Sequence, residues 1–328
     1  MHLKLFRILM GGLMGCMWLA ALPALAQTPI DLQGHRGARG LLPENSLAGF
    51  ERAAQMGVTT LELDVVVTQD DELVISHDPA LNPDITRDAQ GRFLDRTGPD
   101  IRSLRWQELQ AFDVGRIQPG TRYARMFSSQ RPVDGTRIPR LRDLFERMKQ
   151  LGHHQLRYAI ETKITPHQPQ QTPTPERFVE LLLALMDEYG LRERVQILSF
   201  DWRTLQVVQR MRPGMPTVYV TAQLPVLDNL QAQQAQASPW TAGFVPAQYP
   251  SLPHMIRAAG GSHWSSFWRE LDAAKVRQAQ ALGLKVLAWT VNDRETMGRM
   301  LDLGVDGLVT DRPDIAMELL RERGLRWR

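Results

Sequence analysis

The spacing of the strand-like runs constrains this chain most. Eight short β-branched or apolar segments recur between residues 30 and 310, with helical patterns between them. They are "IDLQG" (30–34), "TTLELDVVV" (59–67), "RYAIETK" (157–163), "RVQILSF" (194–200), "PTVYVT" (216–221), a weaker one near "GGSHW" (260–264), "LKVLAWTV" (284–291) and "VDGLVT" (305–310). Helices are expected over 45–57, 140–152, 174–190, 201–213, 271–283 and 293–304, with Asn45 capping the first. Strands alternating with helices argue a parallel sheet. Eight such units in about 300 residues predict an α/β fold of the TIM (β/α)8 barrel type, with a small inserted segment. An open sheet is the alternative, because the sixth strand is weak.

One strand-like run breaks the alternation. Only four polar residues separate "ELVISHD" (72–78) from the strand before it. A parallel crossover needs far more chain, so this run is expected to fold back as a hairpin arm. The inserted segment follows, at about 79–137, rich in Asp, Arg, Pro and Gly, with one helix candidate over 100–112. Residues 222–260 carry no readable pattern.

In a barrel of this kind, catalytic groups sit at the C-terminal ends of the strands. The unusual polar residues fall there. Glu62 and Asp64 are two apart on one strand and share a face. Two close carboxylates repel unless a cation lies between them, and such oxygen ligands suit Ca²⁺, Mg²⁺ or Mn²⁺. Glu161 could complete a three-carboxylate set, and Lys163 would add a fixed positive charge for an anionic substrate. His35 and Arg36 sit between Gly34 and Gly37, in a turn tight enough to present both side chains. A histidine can move a proton near neutrality, and an arginine makes a two-pronged phosphate contact. The hairpin returns His77 towards the carboxylates. Two histidines, an arginine and a cation meet the needs of phosphodiester cleavage. The remaining histidines, His153, His154, His167, His254 and His263, are expected to be surface or local structure.

Composition excludes several classes. The 328 residues are 43% hydrophobic with a net charge of +3, and no basic run stands out, so nucleic acid is not an expected partner. The N-terminus is expected to be a signal peptide over residues 1–26: Lys4 and Arg7, an apolar run, then Ala24-Leu25-Ala26. No later run is long enough for a stable membrane span. The sole cysteine, Cys16, lies inside that segment, so the remaining chain, 27–328, would carry no thiol. Reading "LMGC" as a lipoprotein box with Cys16 as anchor is the rival. Export to the periplasm or secretion is the expectation.

Taken in order, "GHRGARGLLPENS", "LELDVVVTQDDELVISHDP", "IPRLRDLF", "AIETK", "ILSFD", "AWTVND" and "GVDGLVTDRP" resemble the glycerophosphodiester phosphodiesterase family over about residues 31–316. The resemblance implies a TIM barrel with a small insertion, a divalent cation (Ca²⁺ or Mg²⁺), and hydrolysis of small-molecule glycerophosphodiesters to sn-glycerol 3-phosphate and an alcohol. It implies that His35 and His77 are the general acid and base. Glu62, Asp64 and Glu161 match metal ligands, and Glu44 an acid that ligates the metal or stands behind it. Arg36 and Lys163 match phosphate contacts, while Trp289 and Phe200 match the wall of a glycerol pocket. Asp78 is expected to brace the turn or His77. A lysophospholipase D-like action on lipid head groups is the competing enzyme reading, with the aromatic stretch "SHWSSFW" (262–268) as a membrane-facing loop. A non-catalytic exported phosphodiester-binding protein is the reading from another class.

Overall fold

A computed structural model describes residues 29–327. The expected signal peptide and Cys16 lie outside the described residues. In chain order the strands are β1 (Asp31–Gly34), β2 (Thr60–Val67), β3 (Leu73–Ile75), β4 (Arg157–Thr162), β5 (Val195–Ser199), β6 (Thr217–Thr221), β7 (Gln223–Leu224), β8 (Leu227–Asp228), β9 (His263–Phe267), β10 (Lys285–Trp289) and β11 (Gly307–Thr310). Eight of them run parallel in the order β1-β2-β4-β5-β6-β9-β10-β11. Because β1 pairs with both β2 and β11, the sheet closes into a (β/α)8 barrel rather than staying open.

The helices are α1 (Leu47–Met56), α2 (Trp106–Leu109), α3 (Arg122–Met126), α4 (Leu141–Gln150), α5 (Pro175–Glu188), α6 (Trp202–Met211), α7 (Leu252–Ala258), α8 (Ala273–Ala281), α9 (Arg294–Leu303) and α10 (Pro313–Glu322). Period-2 alternation sorts the strand residues between two cores. Leu61, Leu63 and Val65 of β2, with Tyr158 and Ile160 of β4, pack outwards in the helix layer. Ala159, Leu198, Val218, Val220, Leu287 and Val309 fill a smaller cluster inside the barrel, flanked by Phe200 and Trp289. Glu62, Asp64 and Glu161 alternate with the outward set, so the same periodicity turns them inwards.

β3 pairs antiparallel with β2, the hairpin expected for the 72–78 run. Beyond it, a satellite cluster of Val66, Val74, Leu81, Ile101, Leu109 and Ile138 organises the loop-rich stretch up to α4. The single helix expected at 100–112 splits there into a 3-10 turn, Ile101–Ser103, and the short α2. Ser103 bonds the backbone oxygen of Asp100, a local pairing that competes with helix.

Three other expectations need correction. Asn45 does not cap α1. It sits in the left-handed region at φ 52°, whereas Ser46 has the extended backbone of a cap and accepts from the Gly49 N–H. The sixth barrel strand starts at His263, so most of "SHWSSFW" is barrel wall, with Trp264 fully buried. Finally, α10 was not anticipated, and residues 222–260 hold the β7–β8 hairpin and α7.

Candidate active site

The site grows from the end of β1. The chain must turn sharply there: a Cβ on Gly34 would meet the Gly37 carbonyl oxygen at 2.2 Å. Arg36 adopts φ 49° and Gly37 φ 87°, backbone that non-glycine residues rarely take. This conformation aims the Arg36 N–H at Oε2 of Glu62, 2.9 Å away. Its guanidinium turns the other way, with Nη1 donating to Oε1 of Glu44 at 2.8 Å and Nε 3.2 Å from Asp64.

Glu62 and Asp64 from β2 meet Glu161 from β4, where register pairs Asp64 with Glu161. Each offers an oxygen within 4.8 Å of the others, and all three are buried. Burial, then the charges of Asp64 and Glu161, push Glu62 well above the usual carboxylate range. Burial would also raise Asp64, but Arg36 and Lys163 hold it far below that range. Its Oδ2 also accepts from the Asn45 amide at 2.9 Å, the bond that the left-handed Asn45 makes instead of a cap. Lys163 donates to Glu161 at 2.7 Å and lies 3.6 Å from Asp64. Burial opposes the Lys163 charge, and the two carboxylates outweigh it.

Charge counting tests whether a cation fits. Glu44, Glu62, Asp64 and Glu161 face Arg36 and Lys163. Four carboxylates against two cations leave two negative charges when all are ionised, the deficit a divalent ion fills. An all-oxygen donor set suits Ca²⁺ or Mg²⁺. Glu44 lies outside the three-carboxylate group. One of its oxygens is taken by Arg36 and the other by the Tyr123 hydroxyl.

The histidines are each backed by an acid. His35 Nδ1 is 2.6 Å from Oδ1 of Asp311, and its Nε2 is 3.9 Å from Glu62. The Nδ1 proton therefore belongs to the Asp311 bond, leaving Nε2 as the acceptor on the metal side. Burial pushes the His35 imidazole down to about 4, with Arg39 adding to the shift and Asp311 opposing it. Asp311 is itself pinned by Arg39 at 2.8 and 3.1 Å and by Asn292 at 2.6 Å. Its burial is offset by Arg39 and His35, which hold it far below the usual range. His77 Nδ1 is 2.8 Å from Asp78, whose second oxygen accepts from Asn82 at 2.8 Å.

One cavity of about 220 Å³ at the barrel mouth brings these groups together. His35, Arg36, Arg39, Glu62, His77 and Glu161 form its polar side. Leu198, Phe200, Val220, Leu227, Trp289 and Val309 form the other. Phe200 and Trp289 pack edge to face, 5.4 Å between centroids at 87°. Of the residues singled out from sequence, Asp64 and Lys163 stand just behind this surface, joined to it by Arg36 and Glu161. His153, His154, His167, His254 and His263 do not line it.

Sequence reasoning assigned no role to Asp311, Arg39, Asn292 or Tyr123. The first three lie in the motifs "VTDRP", "HRGARG" and "TVND", so their position at strand ends was a usable signal. Tyr123 gave none.

Comparison with known proteins places the chain. The model of the Glycerophosphoryl diester phosphodiesterase family matches residues 35–315. The chain belongs to this family of phosphoric diester hydrolases. A Caldanaerobacter subterraneus glycerophosphodiester phosphodiesterase is 29% identical over 88% of this chain and 97% of its own. A solved Silicibacter pomeroyi protein, provisionally named a glycerophosphoryl diester phosphodiesterase, is 34% identical, with a TM-score of 0.82 over 92% of this chain and 96% of its own. A phosphodiesterase from Oleispira antarctica, solved with its product sn-glycerol-3-phosphate, shares the fold at 21% identity and a TM-score of 0.64, over 89% of this chain and 97% of its own. Among the described residues, no helix is long and apolar enough to cross a membrane.

Proposed function

We propose that this chain cleaves small-molecule glycerophosphodiesters to sn-glycerol 3-phosphate and an alcohol, with a divalent cation held by Glu62, Asp64 and Glu161. The observation that carries this reading is the cavity that gathers Glu62 and Glu161, with Asp64 of their triad just behind them, together with two acid-backed histidines and Arg36. The bound cation would supply charge stabilisation at the phosphate oxygens. Ca²⁺ and Mg²⁺ both suit the donor set.

The protein's own residues divide the rest. Arg36 grips the phosphate, fixed by Glu44, and Lys163 adds positive charge from behind Glu161. Trp289 and Phe200 form the face for the glycerol carbons. Neutral His35 takes the proton of the nucleophile at Nε2, with Asp311 stabilising the imidazolium that forms. His77, backed by Asp78, returns a proton to the departing alcohol. The nucleophile is water or the substrate's own glycerol hydroxyl, and this arrangement serves both. The catalytic unit is residues 27–328, with the 1–26 segment removed on export to the periplasm or medium. The loop that would have favoured a lysophospholipase D-like action on lipid head groups, "SHWSSFW", is largely barrel wall.

The test is release of glycerol 3-phosphate from glycerophosphocholine by the chain starting at Gln27. His35→Ala or His77→Ala should each lower kcat at least about 100-fold, the usual scale for a general acid or base. Circular dichroism should show an unchanged fold. Near-wild-type turnover in either variant removes that histidine from the mechanism. Saturable binding of glycerophosphocholine without release would instead show a binding protein.

The pH profile follows from His35. A base works only while unprotonated, so activity is present above its pKa and falls as pH drops through it. With burial lowering His35 to about 4, the acid limb of kcat/KM, measured with the cation saturating at every pH, should lie near pH 4. An acid limb near the 6.5 of a free imidazole would contradict this assignment.

A further inference from the structure

We infer that the stretch between β3 and α4 clamps the active site, and that Tyr123 is the positioning residue through which it acts. The inference rests on the phosphodiesterase reading above. Tyr123 lies on α3, which buries no residue of its own. Its hydroxyl donates to Oε2 of Glu44 and accepts from Nη1 of Arg39 at 3.3 Å.

These two partners lead to opposite arms of the site. Glu44 holds Arg36 through its other oxygen at 2.8 Å. Arg39 holds both oxygens of Asp311, and Asp311 holds His35 at 2.6 Å. One phenol oxygen thus links the phosphate-binding guanidinium to the base. Every contact along the chain has at least one charged partner, so each member fixes the next with a charge-assisted bond.

The neighbouring residues press on the same place. The Phe127 ring packs on Tyr123, 4.7 Å between centroids, and lies 4.4 Å from the Arg39 guanidinium. Gln130 donates to the Arg39 carbonyl at 2.7 Å, and the Arg131 N–H donates to the Leu41 carbonyl at 2.9 Å. The contacts to Arg39 and Leu41 all land on the loop between β1 and α1. An arginine held by its fork and by a ring face has little rotamer freedom left. α3 buries no residue of its own, yet it and the turns after it touch this loop repeatedly, so it acts on site geometry more than on fold stability.

The test compares Tyr123→Phe, Phe127→Leu and wild type on glycerophosphocholine with saturating Mg²⁺. Tyr123→Phe removes one oxygen and keeps the ring. It should lower kcat/KM about tenfold, the scale of one hydrogen bond to a charged group, through both a higher KM and a lower kcat. Phe127→Leu keeps the Tyr123 hydroxyl and removes the ring face under Arg39, so its loss should fall more on kcat than on KM. The double variant Tyr123→Phe/Glu44→Gln should be no worse than the weaker of its two parents, because both break one chain of contacts. The unfolding midpoint of Tyr123→Phe should stay close to wild type.

Wild-type kcat and KM in Tyr123→Phe would overturn the inference, as would additive losses in the double variant. A large fall in the unfolding midpoint would also overturn it, by making the role structural. Absence of turnover in the wild-type enzyme would reject the phosphodiesterase reading instead, so the two failures are distinct.

Discussion

Excess chelator should abolish turnover of glycerophosphocholine, and added Mg²⁺ or Ca²⁺ should restore it. The expectation rests on the crowding of Glu62, Asp64 and Glu161, whose oxygens lie within 4.8 Å of one another while all three are buried. Without a cation, their mutual repulsion favours a proton on one of them, and Glu62 is the one pushed upwards, by burial and by its two acidic neighbours. Cation binding therefore displaces a proton. Affinity should rise with pH through the raised Glu62 range and fall as pH drops below it. Titration calorimetry in two buffers of different ionisation enthalpy reads this directly, without an activity assay. Binding heats that do not depend on the buffer would reject a protonated Glu62. Full turnover in excess chelator would reject the cation altogether. Because the folded barrel alone gathers the three ligands, the cation should also raise the unfolding midpoint in a concentration-dependent way.

What could be read from sequence divides along physical lines. The barrel was legible because each strand buries two faces, and that burial shows as short apolar runs. The acids were legible for the same reason: Glu62, Asp64 and Glu161 interrupt strands that are otherwise apolar, so their cost marks them. Spacing of two placed each pair on one face without knowledge of the fold. Partners distant in sequence were not legible. Asp311 meets His35 across 276 residues, and Tyr123 meets Glu44 across 79. No local pattern encodes such pairs. Glu44 illustrates the limit most clearly. The family resemblance at "PENS" implies an acid near the metal, but only the fold shows its two oxygens already taken by Arg36 and Tyr123. Asn45 misled for a related reason. Asparagine suits both a helix cap and a left-handed turn, and the pull of Asp64 decided between them. The region 222–260 resisted reading because its strands are two residues long and its only α-helix, α7, seven.

Asp311→Asn should cost more than any other conservative change at this site. Asp311 can only accept hydrogen bonds, so it fixes the Nδ1–H form of His35 and leaves the Nε2 lone pair for the nucleophile. An asparagine of the same shape can donate from its amide, which favours the opposite tautomer and a base aimed the wrong way. In serine proteases, the equivalent change behind a catalytic histidine lowers kcat by about 10⁴, and a loss on the order of 10³ to 10⁴ is expected here. The effect should fall on kcat, with KM little changed, because the phosphate contacts of Arg36 run through Glu44 instead. Some stability is lost as well. Arg39 loses its charged partner in a buried setting, and breaking such a pair costs about 3–5 kcal/mol. The two effects separate by temperature: kcat measured well below the unfolding midpoint reports on the folded site without the contribution of unfolding. A variant that folds and turns over within tenfold of wild type would show that His35 does not need Asp311 to be oriented. The base would then have to be sought at His77, whose Asp78 partner has the same geometry with far more solvent around it.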